Sequence, residues 1–368
     1  MNPLKALNEI GQAVWMDYIR RDMVRDGELE RLVRDDGVTG VTSNPAIFEK
    51  AIGSSSLYDE QLMRLLAAGE RDAEALYEEL AIDDIRRAAD VLAGVYESTG
   101  GADGFVSLEV SPHLAYATEA TIEQAHDLWR RVDRPNLMIK VPATAEGIPA
   151  IEHLLASGVN VNITLMFSLA DYEAVAQAYL RGVARAADPA SVASVASFFV
   201  SRVDSKVDPL LDEIDSDAAR ALRGTIGIAN SKLAYRRYRE IFEGEPFVEL
   251  AGQGARPQRV LWASTSTKDE RYSDVLYVEA LIGPNTVNTL PPETLEAFRD
   301  HGTVRQTLTE GVDEAERRIA ALEEVGIDLS AVTDELQSEG VEKFRRPFDQ
   351  LLATLEAKRA TLLEGVGA

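Results

Sequence analysis

Lys140 is the side chain with the most chemistry to offer. It interrupts an apolar run at residues 137–144 (LMIKVPAT), where Leu137, Met138, Ile139 and Val141 favour β structure and Pro142 closes the run. Such a run reads as a buried parallel strand, which puts Lys140 inside it or at its carboxyl end. A buried ammonium loses hydration, which favours the neutral amine, and a neutral amine facing a sugar ketone can form a Schiff base. The same pattern also suits a lysine that snorkels out of the strand end or pairs with a carboxylate.

Other polar residues fall at the ends of similar runs. Asp17 ends AVWMD, and Thr42, Ser43 and Asn44 follow GVTGV. Glu109 lies in GFVSLEV, Asn162 and Thr164 in VNVNITL, and Ser197 and Arg202 in SFFVSR. Ser264, Ser266 and Lys268 follow VLWA. Each has an ordinary alternative. Asp17 could cap a helix, Asn44 before Pro45 could be turn chemistry, and Asn162 with Thr164 could bond within a barrel layer. Arg202 and Lys268 could pair with neighbouring carboxylates at the surface. Taken together they make a closed set: one amine, two carboxylates to move protons, amides and hydroxyls for a polyol, and two cations for a phosphate. Burying several ionisable groups destabilises a fold unless they serve one site.

Eight strands would be needed to hold them. The apolar runs place strands at residues 13–17, 37–41, 104–110, 137–141, 159–165, 194–200 and 260–263, and an eighth at 277–282. Helical patterns occupy 3–11, 23–34, 57–68, 72–98, 116–131, 147–157, 168–185, 208–242, 293–300, 303–325 and 331–364. This alternation predicts an α/β fold, a single TIM (β/α)8 barrel, in which chemistry gathers at the carboxyl ends of the strands. No strand is followed by a glycine-rich nucleotide motif, and no linker divides the chain. One domain over residues 1–368 is expected, with residues 303–368 as additional C-terminal helices on the barrel's outside or across one end.

Composition narrows the function. The chain has 368 residues, 45% hydrophobic and 27% charged, with no cysteine and a net charge of −24. Such a charge repels nucleic acid and anionic membranes, so neither is an expected partner. No apolar run has the length of a membrane span, and MNPLKALNEIGQ lacks the features of a signal peptide, which points to the cytoplasm. Without cysteine there is no disulfide or thiolate site, and His113, His126, His153 and His301 show no ligand spacing, so no metal is expected.

The chain resembles the transaldolases, Schiff-base transferases of the pentose phosphate pathway. The matching segments are TSNPA at 42–46, SLEVSPHLAYAT at 107–118, LMIKVPAT at 137–144, NVNITLMFS at 160–168, ASFFVSR at 196–202 and VLWASTSTK at 260–268. The long C-terminal half resembles the larger bacterial subgroup. Some members continue into a sugar-phosphate isomerase domain, for which a chain ending at Ala368 has no room. The resemblance implies that Lys140 forms the Schiff base and that Asp17 and Glu109 move protons. It also implies that Asn44 and Asn162 bind the sugar, that Thr164 holds a catalytic water, and that Arg202 and Ser264 bind phosphate. Ser197 and Lys268 complete the expected substrate-binding set. Many relatives carry arginine where this chain has Ser266, and the nearest cation is then Lys268, a point charge in place of a bidentate fork.

The implied reaction moves a dihydroxyacetone unit from sedoheptulose 7-phosphate to glyceraldehyde 3-phosphate, giving erythrose 4-phosphate and fructose 6-phosphate, with no cofactor. A fructose 6-phosphate aldolase activity is the nearest alternative, separated by whether turnover needs an aldose acceptor. A non-catalytic sugar-phosphate binder is another, separated by whether Lys140 is dispensable. Sequence leaves the oligomeric state, homodimer or monomer, open.

Overall fold

The computed structural model describes residues 2–366 other than residues 54, 70 and 215. Eight parallel strands close into a barrel in sequence order: β1 (Gln12–Met16), β2 (Val38–Val41), β3 (Val106–Glu109), β4 (Leu137–Pro142), β5 (Val161–Met166), β6 (Ser194–Phe199), β7 (Arg259–Ala263) and β8 (Thr286–Leu290). β8 returns to β1 in register from Gln12↔Thr286 to Met16↔Leu290. Helices follow the strands, as right-handed βα connections require.

Seven strands lie where the apolar runs place them. The eighth does not. Residues 277–282 are apolar because Tyr277, Val278, Leu281 and Ile282 pack into the core from the short helix Leu276–Ala280 and the turn after it. The true β8, TVNTL, escapes detection because its polar side chains are buried in the wall, most of them on tertiary hydrogen bonds, although Asn288 Nδ2 has no partner among the described residues. Gln12 donates to the Thr286 hydroxyl at 3.0 Å and Thr265 donates to Asn288 Oδ1 at 2.9 Å. Some helical readings also change. Residues 208–242 divide into Ser201–Glu213, Asp217–Leu222 and Ile226–Phe242, and residues 303–325 are helical only over Val312–Glu324.

Strand alternation explains why polar groups meet at one end. Trp15, Met138, Val195, Leu261 and Val287 belong to the apolar filling of the barrel, and all are buried. Two residues further along each strand, on the same inward face, come Asp17, Lys140, Ser197, Ala263 and Thr289. The inward face thus turns from apolar to polar in a single step toward the carboxyl end.

The long helix Leu329–Val366 crosses that end. Gln337 Nε2 donates to the carbonyls of Ala143 and Leu165 at 3.0 and 3.3 Å. Lys358 donates to the carbonyls of Ile52 and Ser55 at 3.3 and 2.7 Å. Val312–Glu324 lies against Ile226–Phe242, and the last helix runs over the ends of β4 and β5. Residues 367–368 of the expected extension lie outside the described residues.

The floor of the site depends on Trp15, whose indole donates to Asp103 Oδ1 at 2.9 Å. Gly40 makes room for it, because a Cβ there would stand 2.5 Å from the indole ring. Gly40→Ala is therefore expected to overpack the barrel and destabilise it by about 1–3 kcal/mol, read as a lower urea midpoint. An unchanged midpoint would show that Trp15 moves freely.

Candidate active site

A cavity of about 240 Å³ opens at the carboxyl end of the barrel. Its walls include eight of the ten residues singled out from the sequence: Asp17, Asn44, Lys140, Thr164, Ser197, Arg202, Ser264 and Lys268. Asn162 and Glu109 stand just behind. Asn162 bridges two strands, donating to Ser107 Oγ at 3.0 Å and accepting from Ser197 Oγ at 2.7 Å, so its amide is engaged in the barrel layer.

Lys140, 5% exposed, sits in β4 with its ammonium donating to the Ser43 carbonyl at 3.1 Å. Glu109, 7% exposed, lies on the neighbouring strand, its Oε2 3.5 Å from Lys140 Nζ. That is an ion pair too long for a good hydrogen bond, and Glu109 Oε2 has no hydrogen-bond partner among the described residues. Thr164 Oγ1 is likewise buried and without a partner among them. Asp17, directly after β1, accepts from the Thr42 hydroxyl at 2.7 Å, and Thr42 lies 2.7 Å from Thr289 Oγ1. Asn44 accepts from the Ile47 amide at 3.1 Å and so also serves the turn before its helix.

The opposite wall is cationic. Arg202 stands in the first turn of Ser201–Glu213, with its guanidinium 4.9 Å from the centre of the Phe199 ring. Its Nη1 is buried and has no hydrogen-bond partner among the described residues. Ser264, beyond β7, adopts a left-handed φ of 56° and places its hydroxyl 3.0 Å from that of Ser201. Lys268 is exposed at the rim and donates to Ser266 Oγ at 2.6 Å. The loop carrying these groups is tied down at its far side. Tyr272 donates to Asp208 at 2.8 Å and Tyr277 to Asp204 at 2.9 Å, both carboxylates lying on the Arg202 helix. An arginine with an unmet buried N–H, at a helix N-terminus beside two serines and a lysine, has the chemistry to hold an anion.

A family model described as Transaldolase/Fructose-6-phosphate aldolase matches residues 14–355. The chain belongs to the transaldolase/fructose-6-phosphate aldolase family. It is similar to a transaldolase of Frankia alni, 51% identical over 359 residues that cover 96% of each chain. A transaldolase of Thiobacillus denitrificans is 48% identical over 359 residues, 96% of this chain and 100% of the relative. One of Mycobacterium marinum is 48% identical over 364 residues, 97% of both.

Within this transaldolase-family barrel, the cavity wall also includes Thr42, Phe199, Ser266, Thr289, Glu293 and Phe344. Thr42 and Ser266 are among the polar strand-end residues read from the sequence without an assigned role, whereas Phe199, Thr289, Glu293 and Phe344 carry no such signal there. Thr289 and Glu293 follow from β8, which lies beyond the segment read as the last strand. Phe344 comes from the C-terminal helix, and no strand-end signal marks it. Among the described residues, no group of three or more histidine or acidic side chains is placed to hold a metal ion, and no helix is long and apolar enough to cross a membrane.

Burial raises the Asp17 carboxyl above its ordinary value, opposed mainly by Lys140, the Thr42 hydrogen bond and Arg202. It raises Glu109 to about 7, opposed by Lys140. Asp204 is likewise raised to about 7 by burial. Burial lowers the Arg202 guanidinium, opposed by Asp17, Glu339 and Glu109. These three carboxyls hold a proton more readily folded than unfolded. Their contribution to stability is therefore largest at low pH and is lost as pH rises above the ordinary carboxylate value, for Glu109 and Asp204 through about 7. For Glu109, moving from 4.5 to about 7, the loss is on the order of 3 kcal/mol across that window. Glu109→Gln is expected to flatten the fall in unfolding free energy between about pH 5 and pH 8. Identical slopes in the two proteins would show that Glu109 titrates normally.

Proposed function

We propose that the protein is a transaldolase that moves a dihydroxyacetone unit between sugar phosphates through an imine on Lys140. The observation that carries this reading is one buried amine, held beside two carboxyls and facing a cationic wall across one cavity. The donor is sedoheptulose 7-phosphate and the acceptor glyceraldehyde 3-phosphate, with erythrose 4-phosphate and fructose 6-phosphate as products of a reversible transfer. We read residues 1–368 as one barrel domain working in the cytoplasm, as a monomer or homodimer.

Breaking the C3–C4 bond leaves a carbanion beside C2, and a protonated imine at C2 accepts those electrons better than a ketone. Lys140 therefore attacks C2. Glu109 gives a proton, through a water seated at Thr164, to the hydroxyl that leaves the carbinolamine. The two unpartnered oxygens of Glu109 and Thr164 support that placement, since buried polar atoms without partners are costly unless a ligand completes them. Asp17 takes the C4 hydroxyl proton as C3–C4 breaks. The aldehyde then leaves, and the enamine adds to the second aldehyde by the same steps in reverse. Asn44 and Ser197 hold hydroxyls, while Asn162 fixes Ser197 and the Lys140 layer. Arg202, Ser264 and Lys268 hold the phosphate and so set the distance from phosphate to reacting carbon.

The test is trapping. Fructose 6-phosphate with borohydride is expected to leave a reduced three-carbon adduct on Lys140, and Lys140→Arg to lose both adduct and transfer while staying folded. Arginine keeps the charge but offers no neutral amine at working pH. Normal transfer by that variant would end the mechanism.

The phosphate wall has its own test. Losing a charge-assisted arginine contact costs on the order of 1.5–3 kcal/mol, roughly 10- to 150-fold in kcat/KM. Arg202→Ala is expected to show that loss with phosphorylated donors and much less with unphosphorylated ketoses; Lys268→Ala should show the same selectivity at smaller size. Equal losses with both substrates would mean that Arg202 supports the barrel and does not read the phosphate.

A further inference from the structure

We propose that Phe344, on the C-terminal helix, is a positioning residue that covers the Lys140 nitrogen and keeps its enamine for the acceptor sugar instead of water. The inference rests on the reading of Lys140 as the imine-forming amine.

The ring of Phe344 stands 5.3 Å from Lys140 Nζ, within range of a cation–π contact, and lines the cavity. The ammonium is thus bounded by the Ser43 carbonyl, the Glu109 carboxyl and one aromatic face. Phe344 is 6% exposed, on a helix face that also buries Val341, Phe348, Leu351 and Leu355. That face is held at several points. Gly340, one turn earlier, lets the helix approach Leu165, where a Cβ would come within 2.8 Å of the leucine side chain. Gln337 reaches the carbonyls at the ends of β4 and β5. Lys206, on the Arg202 helix, donates to Glu335 at 2.6 Å and Glu339 at 2.7 Å. With the helix fixed on both sides, the ring has little freedom to leave the nitrogen.

The chemistry needs such a cover. After the first aldehyde leaves, C3 of the enamine can attack the acceptor aldehyde, which is transfer. It can also take a proton from water, which regenerates the iminium. A second water then adds to C2, the carbinolamine releases the amine to Lys140, and free dihydroxyacetone departs. The side path consumes water and leaves the enzyme unchanged, so it is suppressed by keeping bulk water from C3 of the enamine while the one water at Thr164 remains for forming and hydrolysing the imine. While the nitrogen is charged the ring attracts it; once the enamine is neutral the ring remains as an apolar wall.

The experiment compares dihydroxyacetone released with three-carbon units transferred, using fructose 6-phosphate as donor with and without erythrose 4-phosphate. Phe344→Ala is expected to raise the release-to-transfer ratio by about tenfold, equivalent to about 1.4 kcal/mol between the two barriers. Phe344→Leu, which keeps apolar bulk and protects folding, is expected to raise it by a smaller factor. An unchanged ratio in both variants, with transfer and release falling together, would overturn the inference and leave Phe344 a packing residue. Borohydride trapping at Lys140 is measured on the same preparations. Its absence in the unsubstituted protein would remove the imine reading and this inference together. Intact trapping with an unchanged ratio would remove the role of Phe344 alone.

Discussion

The constraint on which this structure depends is the burial of opposite charges at one mouth of a barrel. Lys140 and Glu109, on neighbouring strands and nearly closed to solvent, face each other 3.5 Å apart. Neither could be buried alone without a large penalty, and a hydrophobic pair of similar volume would hold the wall more cheaply. Pairing does not remove the tension, since burial still raises Glu109 to about 7. The pocket therefore holds a carboxyl poised to carry or release a proton near neutrality, beside an amine. Asp17 and Arg202 extend the same field across the cavity. Lys140 is paired with a carboxylate and also lines the cavity.

The rest of the architecture supplies what that charge cluster lacks. The apolar filling one layer below gives it a dry floor, with Trp15 seated against Gly40. The loop after β7 brings Ser264, Ser266 and Lys268, and two tyrosine–aspartate bonds fasten it to the helix that presents Arg202. The protein carries a net charge of −24, so its overall field opposes a sugar phosphate, and a local cationic wall has to reverse it. The C-terminal helix closes the remaining side with an aromatic ring.

Much of this was legible because barrel strands announce themselves as short apolar runs and their inward polar residues stand out against them. Lys140 in LMIKVPAT and Arg202 after SFFV are such cases. Thr289 was illegible for the converse reason: TVNTL has too many polar groups to look buried, and only tertiary hydrogen bonds make it so. Tyr277–Ile282 misled because a helix docked on the core and a strand within it are equally apolar when short. Asn162 was readable as polar and inward, but not as a side chain already engaged by Ser107 and Ser197. Phe344 lies more than 200 residues from the amine it covers, on a helix whose periodicity marks a buried face without saying what lies beneath it.

The most direct measurement is a crystal structure of the protein reduced with borohydride in the presence of fructose 6-phosphate. The expected result is a single bond from Lys140 Nζ to C2 of a three-carbon polyol, with its C3 end turned toward Asp17 and the Arg202 wall. A sugar bound elsewhere, or one lying in the cavity beside an unmodified Lys140, would contradict it.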